Sequence, residues 1–585
     1  MTDKIKKSDQ ANFTVGVVMS RMRNEWNRSL AQGIKDVAFE NGINIIQYCI
    51  GSLNVKNRES LQCNIISELI DTDKLNVLII SSSAFATDMD EKECEIFCQR
   101  FTSIPVIMLN KESKAFYTIS HDVYQSVVIA VRHLVDVHQY YNIVFMKKSN
   151  ARNYPIQIKA FRNTLNSLNI PVNNKFIVND IPDDDKKDDL LAILLKLIEN
   201  GAEVIITGEA VAKNVVYVLT KAGIKIPGEL AVFGINNLIS SQFTVPPLST
   251  IEHSFYQQGR IVMEKVVGLK NGKPLGKNIK LEPVLIRRSS CGCFNQPVHE
   301  ITESISRENL TIREGDFLDN KEKLLSELNK LVGNTVEDQE LINELLNAYD
   351  AELKKPGEYI FLNFLNNFFK TKIYYYNNPN ILQKILSLLI NWSIPYLKNR
   401  ENFFKIQFTW QQARLFIDDF IMHNQALSIF HTRKQYEDYR LFSRGLLSTL
   451  DLKKLLNILF KELSRNNIPY AYLVIYEKPG AYKYPDPIAK WSRLIMAYSE
   501  KERIDMDESG IRFRTKNILP EKIWQEYFTF MKNNYYCIIE SLSFEGKQMG
   551  YMVFGVSGKP SDFTYWLKNI ISISLHGALD LQLQS

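Results

Sequence analysis

Ala222-Gly-Ile-Lys-Ile-Pro-Gly-Glu-Leu-Ala-Val-Phe-Gly234 contains a short run, Leu230-Ala-Val-Phe233, that is entirely apolar. Six similar runs precede it, at residues 15–19, 43–46, 77–80, 106–109, 143–145 and 204–206. Runs of this length and composition are typical of strands that are buried on both faces of a parallel sheet. The pattern therefore predicts a sheet protein whose strands are covered by helices.

The segments between these runs have helical periodicity. Residues 27–41 place Leu30, Ile34 and Val37 at helical spacing, and residues 122–138 repeat the pattern. Alternating strands and helices predict doubly wound parallel sheets with right-handed crossovers. Residues 13–293 are too many for one five-stranded sheet, so we expect two lobes with a ligand cleft beyond the carboxyl ends of the strands.

Residues 294–445 change to a helical pattern, with apolar clusters at three- and four-residue spacing and few strand-like runs. Residues 401–447 contain neither Pro nor Gly until Gly445, and they predict one long helix that serves as a connecting rod or a dimer seam. Two ordinary helices with a bend near His423 are the alternative. We expect an all-α spacer and a homodimer.

Residues 446–585 have a mixed α+β pattern. Asp451 precedes an amphipathic helical series and is a candidate N-cap. Four strand-like segments follow, at residues 470–476, 492–498, 535–542 and 550–556. Gly546 lies between the last two, where it can supply the positive φ that a hairpin requires. This block is predicted to be a small antiparallel sheet flanked by helices.

Composition and charge exclude several classes of protein. The formal net charge of +6 over 585 residues is too small for a protein that coats nucleic acid or for a polybasic membrane anchor. The seven cysteines are odd in number and scattered, which favours reduced thiols and a cytoplasmic location. Neither a signal-peptide core nor an 18-residue apolar window is found, so no membrane contact is expected.

Ordered landmarks in residues 13–293 carry a resemblance to a known family. They are Val15-Gly-Val-Val18, Asn24-Glu-Trp26, Gly33-Ile34, Asp122-Val-Tyr-Gln-Ser126, His133-Leu134, the stretch from Ala222 to Gly234, and Pro246-Pro-Leu-Ser-Thr-Ile251. Together they resemble the sensor core of the lac-repressor/galactose-repressor family, which has the periplasmic-binding-protein type I fold. The resemblance implies two lobes with crossings near residues 119–122, 235–250 and 280.

The resemblance also implies where a ligand would bind. The corresponding positions here are Asn24, Trp26, Asp122, Gln157, Glu209 and Asn236. Several differ from the family pattern, because an acidic residue is replaced by Asn236, an Arg by Gln157, and an Asn-Asp pair by Gly208-Glu209. These changes weaken the charge-assisted bonds that hold sugar hydroxyls. Either the cleft binds a sugar-like or nucleoside-like ligand with altered chemistry, or it has become a protein-binding scaffold.

The C-terminal block resembles a GAF domain, through Ser448-Thr-Leu-Asp-Leu452, the strand-like segment at residues 470–476 and Leu542-Ser-Phe-Glu-Gly-Lys-Gln-Met-Gly-Tyr-Met-Val-Phe554. The combination resembles bacterial multi-domain regulators, so we expect transcription regulation or signal transduction. No helix-turn-helix is expected before the core, so direct DNA binding of the family type is not predicted. The output is expected in a partner: a cyclase, a kinase or a DNA-binding protein.

Candidate chemistry is sparse. Cys291-Gly-Cys293 with His299 offers three soft ligands, but zinc requires a fourth, and two reduced cysteines are the preferred interpretation. We expect no catalytic residues, no metal and no cofactor. An enzyme with an unrecognised active site remains the alternative. The predicted domains are therefore a sensor core at 13–293, a helical spacer at 294–445 and a GAF-like domain at 446–585.

Overall fold

The computed structural model describes most of the chain. Its described residues are 13–20, 24–53, 58–86, 89–148, 151–183, 185–294, 315, 317–332, 336–371, 380–397, 399–466, 468–499, 502–504, 506–507, 509–525, 535–556 and 563–584. Two compact units are present, one of residues 1–292 together with 441–585 and one of residues 293–440. The second part of the first unit therefore comes from the far end of the sequence.

The first lobe is built on six strands that are all parallel to their neighbours. These are β1 (Thr14–Ser20), β2 (Asn44–Ile50), β3 (Val77–Ser81), β4 (Val106–Leu109), β5 (Tyr117–His121) and β11 (Ile279–Leu281), in the order β11-β5-β4-β3-β1-β2. Its helices are α1 (Glu25–Glu40), α2 (Arg58–Cys63), α3 (Glu91–Gln99) and α8 (Phe255–Lys270). The predicted apolar runs form the central strands, because strands covered on both faces need apolar side chains on both faces.

The second lobe has its own sheet of six strands. These are β6 (Ile143–Met146), β7 (Ile177–Val178), β8 (Val204–Thr207), β9 (Ala231–Asn236), β10 (Ser249–Glu252) and β12 (Val284–Ile286), in the order β12-β10-β9-β8-β6-β7. All pairs are parallel except β10 with β12. The helices are α4 (Val123–Asp136), α5 (Tyr154–Ser167), α6 (Lys187–Glu199) and α7 (Glu209–Lys221).

The chain passes between the lobes three times. It leaves the first sheet after β5, returns between β10 and α8, and leaves again between β11 and β12. The middle passage, expected near 235–250, lies at 252–255 instead. The reason is that β9 and β10 are hydrogen-bonded neighbours in the second sheet, so the segment between them stays in that lobe.

The C-terminal segment adds six strands, five of them on one path of an antiparallel sheet and the sixth paired beside it. They are β13 (Tyr470–Gly480), β14 (Trp491–Ser499), β15 (Glu502–Arg503), β16 (Ile511–Arg514), β17 (Tyr536–Phe544) and β18 (Lys547–Gly555). β17 and β18 form the predicted hairpin, in which Glu545 and Gly546 have φ of 46° and 81°. Two consecutive positive φ values are the mark of a type I′ turn, which matches strand twist.

Strand β17 joins this sheet to the first lobe. It pairs in parallel with β2, from Tyr536 opposite Ile45 to Glu540 opposite Cys49. The Ile45 amide donates to the Tyr535 carbonyl at 2.9 Å. The result is one continuous 12-stranded sheet, so the C-terminal segment extends the first lobe instead of standing apart from it.

Side chains on both faces of β17 belong to the cores of the first lobe. Tyr536 and Ile538 lie in the same apolar cluster as Val15 and Val17. Cys537 and Ile539 lie in the cluster on the opposite face, with Val18, Tyr48 and Ile80. The first lobe and the C-terminal segment therefore share their hydrophobic interior.

The second unit is helical in its described residues. Its helices are α9 (Lys321–Val332), α10 (Val336–Lys354), α11 (Ile360–Thr371), α12 (Asn380–Ser393) and α13 (Arg400–Leu447), the last of which continues into the first unit. The remaining helices of the first unit are α14 (Leu452–Arg465), α15 (Glu521–Ile523) and α16 (Phe563–Gln584). α13 is one unbroken helix of 48 residues, so the alternative with a bend near His423 is wrong. No described helix is long and apolar enough to cross a membrane.

Because Ile538 is buried in the core of the first lobe, Ile538→Ala should lower the free energy of unfolding by about 2–5 kcal/mol, the usual cost of such a cavity. Hydrogen exchange followed by mass spectrometry should show peptides of β1 and β2 losing protection together with peptides of β17. Ile96→Ala, at an exposed site on α3, is the matched control and should change stability little. Loss of protection confined to residues 446–585 would contradict the shared core.

Candidate functional site

A cleft lies at the carboxyl ends of strands from both lobes. Its cavity volume is about 640 Å³, which lies in the range of small-molecule sites. Its polar and aromatic lining includes Trp26, Asn110, Lys111, Glu112, His121, Asp122, Tyr124, Lys147, Arg152, Gln157, Asn236, His253, Phe255 and Lys280. Loops that follow parallel strands converge at such an edge, so the fold itself creates the pocket.

Four of the six ligand-binding residues implied by the family resemblance line this cleft: Trp26, Asp122, Gln157 and Asn236. Trp26 packs edge-on against Phe255 at a centroid distance of 5.8 Å. Asp122 caps α4 by accepting a hydrogen bond from the Gln125 amide at 2.9 Å. The Trp26 ring offers an apolar face, and Gln157 and Asn236 offer polar atoms, to a ligand.

The other two residues, Asn24 and Glu209, are not among the lining side chains. Asn24 is exposed at the start of α1 and makes no side-chain cap. Glu209 is buried, and its carboxylate accepts a 2.7 Å hydrogen bond from the Thr250 hydroxyl. Its neighbour Gly208 lines the cleft instead, because Glu209 opens α7 and its side chain turns toward the sheet.

Two histidines form a stacked pair in the cleft. The rings of His121 and His253 lie 4.9 Å apart with an interplanar angle of 19°. The ring nitrogens of His253 hydrogen-bond with Asn236 Oδ1 at 2.9 Å and with Ser126 Oγ at 2.7 Å. Phe255 covers the edge of His121 at 5.0 Å. The pair is therefore packed on several sides and held in one orientation.

Burial keeps both imidazoles neutral. Desolvation first, and then the nearby His253, lowers the pKa of His121 to about 3. Desolvation, and then the positive charge of Lys147, lowers the pKa of His253 to about 4. Both rings are thus uncharged at neutral pH, where each imidazole can donate one hydrogen bond and accept another.

Lys147 and Arg152 bring positive charge to the cleft without a carboxylate partner. Lys147 Nζ donates to the amide oxygen of Gln157, and burial lowers the pKa of Lys147 to about 8. Arg152 donates to the carbonyl of Phe85 at 2.7 Å, a contact that joins the second lobe to the first. Within the described part of the chain, neither cation has a carboxylate oxygen within 4 Å. Both cations are therefore available to a negatively charged ligand.

Sequence reasoning missed His121, Lys147 and His253, although a signal for each was present. His121 ends β5, and Lys147 and His253 directly follow β6 and β10. The rule that ligands bind beyond the carboxyl ends of parallel strands selects these positions once the strands are placed. Arg152 follows β6 by several residues, so only the three-dimensional path of the loop brings it to the cleft.

The comparisons with known proteins agree with this architecture. Residues 131–291 match the family described as a periplasmic binding protein-like domain. The chain therefore carries a periplasmic-binding-protein-like α/β core with parallel sheets. The matched residues include most of the second lobe and the cleft residues that follow its strands.

The curated proteins that this chain resembles in sequence include transcriptional regulators. The chain is 20% identical to catabolite control protein A of Priestia megaterium over 270 residues, which are 46% of this chain and 77% of that protein. It is 19% identical to the HTH-type transcriptional repressor PurR of Haemophilus influenzae (strain PittEE) over 296 residues, 49% of this chain and 84% of the repressor. The part of this chain that aligns with these regulators is thus similar to them at about one fifth identity.

Among solved structures, the chain is similar to the lac repressor dimer bound to operator and the anti-inducer ONPF, with 16% identity, a TM-score of 0.40, and coverage of 48% of this chain and 94% of that one. It is also similar to the transcription regulator CcpA of Lactococcus lactis, with 17% identity, a TM-score of 0.40, and coverage of 48% and 99%.

The histidine pair predicts a stability that depends on pH. An unfolded histidine has a pKa near 6.5, above the folded value for His253, so the unfolded chain binds more protons between about pH 4 and pH 6.5. The free energy of unfolding should therefore fall as pH drops below 6.5, with His253 contributing about 2 kcal/mol of loss at pH 5. Denaturant titrations at pH 7 and pH 5 measure this loss. The free energy of unfolding of His253→Gln should fall between the two pH values by about 2 kcal/mol less than that of the parent chain.

The exposed His423 on α13 supplies the matched control, since His423→Gln should retain the full pH dependence of the parent chain. An equal pH dependence in His253→Gln and the parent chain would show that His253 is not held neutral by burial.

Proposed function

We propose that this chain is a ligand-sensing regulatory protein whose two-lobed cleft binds a small molecule with a sugar-like or nucleoside-like body and one anionic group. The observation that carries the proposal is the pair of cleft cations, Lys147 and Arg152, whose donors meet only neutral oxygens among the described residues. A buried cation without a counter-charge costs stability, so it is retained where a ligand supplies the charge.

The remaining lining suits the body of such a ligand. Trp26 and Phe255 provide apolar faces of the kind on which a sugar or a base packs. The amides of Gln157 and Asn236 and the two neutral imidazoles provide paired donors and acceptors for hydroxyl groups.

Two of the lining carboxylates have partners of their own, since Glu112 pairs with Lys280 at 3.0 Å and Asp122 caps α4. The uncompensated charge of Lys147 and Arg152 therefore favours a carboxylated or phosphorylated metabolite over an uncharged sugar.

We infer that the signal reaches a partner through the first lobe. The ligand would contact both lobes, and the C-terminal GAF-like segment is part of the first lobe's sheet through β2 and β17. A change in cleft closure would therefore alter the position of the second lobe relative to that segment. The output remains proposed as a cyclase, a kinase or a DNA-binding protein, in keeping with the transcriptional regulators among the relatives.

We also propose that the chain forms a homodimer along α13. Five apolar side chains recur on this helix every seven residues and are 63 to 69% exposed: Phe408, Leu415, Met422, Ile429 and Tyr436. The bundle of the second unit is packed through different residues of the helix, among them Ile406, Trp410 and Ala413. Apolar residues at every seventh position supply one of the two apolar positions of a coiled-coil repeat, so a second, parallel copy would bring each residue against its own counterpart.

Matched pairs of ligands test the cleft. Calorimetry and thermal shift on the full chain should compare a sugar with its phosphate ester and a nucleoside with its 5′-monophosphate. We expect binding by an anionic member and at least tenfold weaker binding in Lys147→Gln, since a charge-assisted hydrogen bond contributes about 1.5–3 kcal/mol. Affinity should also fall as pH rises through about 8, where Lys147 loses its proton.

Lys148→Gln is the control, because Lys148 is next in sequence but pairs with Asp183 at 2.8 Å outside the cleft. Equal affinity for neutral and anionic members, unchanged in Lys147→Gln, would contradict the anionic ligand. Failure of every compound to stabilise the chain would favour a scaffold that binds protein.

Light scattering at micromolar concentration tests the dimer. The parent chain should have twice the chain mass of 67.7 kDa, and Leu415→Glu with Ile429→Glu should return it to 67.7 kDa, because two charges at the seam would repel their counterparts. Leu195→Glu, at an exposed site on α6, is the control and should remain a dimer. A parent chain of monomer mass would refute the seam.

A further inference from the structure

Four metal-binding side chains meet at the end of α4 opposite the cleft. They are His133, His138, Cys291 and Cys293, and their ligand atoms all lie within 4.8 Å of one another. His133 is in the last turn of α4, His138 follows the helix, and the two cysteines follow β12. Cys293 is one residue past the boundary of the first unit, and its peptide link to Gly292 keeps it beside Cys291.

The distance between one nitrogen and one sulfur atom of the group matches a tetrahedral zinc site. Zinc binds sulfur at about 2.3 Å and imidazole nitrogen at about 2.0–2.1 Å, so tetrahedral geometry places these two atoms about 3.6 Å apart. The observed separation of His133 Nε2 and Cys291 Sγ is 3.6 Å. The rings of His133 and His138 have centroids 5.0 Å apart and stand at 87° to each other, so their edges converge without stacking.

Gly292 makes the convergence possible. Its φ of 104° lies in the left-handed region that side-chain-bearing residues rarely adopt. A Cβ at this position would also lie 3.4 Å from both Cε1 and Nδ1 of His138. Glycine between the two cysteines therefore lets the chain turn both sulfur atoms toward the histidines and lets His138 approach closely.

The surrounding structure holds the donors in place and leaves two of them partly exposed. Cys291 is fully buried and His133 nearly so, whereas His138 and Cys293 are half-buried. Tyr140 stacks on His138 with centroids 5.5 Å apart and donates to the Cys291 carbonyl at 3.2 Å. Ser290 anchors the same segment by donating to the Val232 carbonyl. An ion could enter from the half-buried side and be held by a rigid inner pair.

We propose that these four residues form a structural zinc site that fastens the end of the sensor core to α4. Two thiolates and two imidazoles are a donor set that zinc prefers, and the four residues between the histidines match the spacing of known zinc sites. Binding converts two thiols to thiolates and releases two protons to solvent, while both imidazoles bind in their neutral form. His299, the third ligand considered from sequence, lies outside the described residues and is not needed.

Metal analysis of the full chain tests the site. Protein made without a polyhistidine tag, reduced and reconstituted with Zn²⁺, should contain about one zinc per chain by mass spectrometry. Co²⁺ in its place should give the visible absorption of a tetrahedral sulfur–nitrogen site. Cys293→Ser and His138→Asn change half-buried residues, so the fold should survive, and each should lower bound zinc at least fivefold. Cys94→Ala and His423→Asn are the controls and should retain it.

The wild-type measurement decides the matter even where a variant misfolds. Absence of zinc and cobalt from the reconstituted wild-type chain would overturn the proposal, as would full zinc content in both Cys293→Ser and His138→Asn. A different metal, bound with the same dependence on these residues, would overturn zinc as the occupant and support the site. None of these outcomes depends on ligand binding in the cleft.

Discussion

The parallel pairing of β2 with β17 is the interaction on which the first unit depends. β2 is an edge strand among the strands that the N-terminal half supplies to the sheet. An unpaired edge strand exposes backbone amides and carbonyls that can pair with another chain and cause aggregation. β17 satisfies this edge and contributes side chains to the cores on both faces of the sheet. The buried amide of Gln47, bonded by the Tyr536 hydroxyl, marks one register, because a one-residue slip would separate the two groups.

The cleft concentrates groups that stability alone would not select. Two imidazoles are held uncharged, first by loss of contact with water and then by their charged neighbours, and burial lowers the pKa of Lys147 to about 8. The second lobe and the first approach each other over these groups, as the Arg152 contact with Phe85 shows. Perturbed ionisation within a cleft is a recognised mark of function.

Helix α4 links two features at its opposite ends. At its start, Asp122 lines the cleft, and the buried hydroxyl of Ser126 contacts His253. At its end, His133 reaches the two cysteines that follow β12. A 14-residue helix is stiff over this length, so a metal at one end would fix the helix that positions cleft-lining groups at the other.

The amino-acid sequence by itself determined the local elements. Apolar runs predicted the strands of both lobes, Asp451 was predicted as an N-cap and accepts from the Lys454 amide, and Gly546 was predicted at a hairpin that the structure contains. The family landmarks placed Trp26, Asp122, Gln157 and Asn236 in the cleft. These features depend on periodicity, turn chemistry and short motifs, all of which are encoded in neighbouring residues.

Only the tertiary structure decided which distant segments meet. The pairing of β2 with β17 joins residues more than 480 positions apart, and the four side chains of the proposed zinc site come from two segments that the sequence separates by about 150 residues. The tertiary structure likewise decides that the Glu209 side chain is buried against the sheet and that Arg152 lines the cleft. Patterns along a chain specify the kind of element and its buried face, whereas the partner of that face depends on the free edges and surfaces left when the elements assemble.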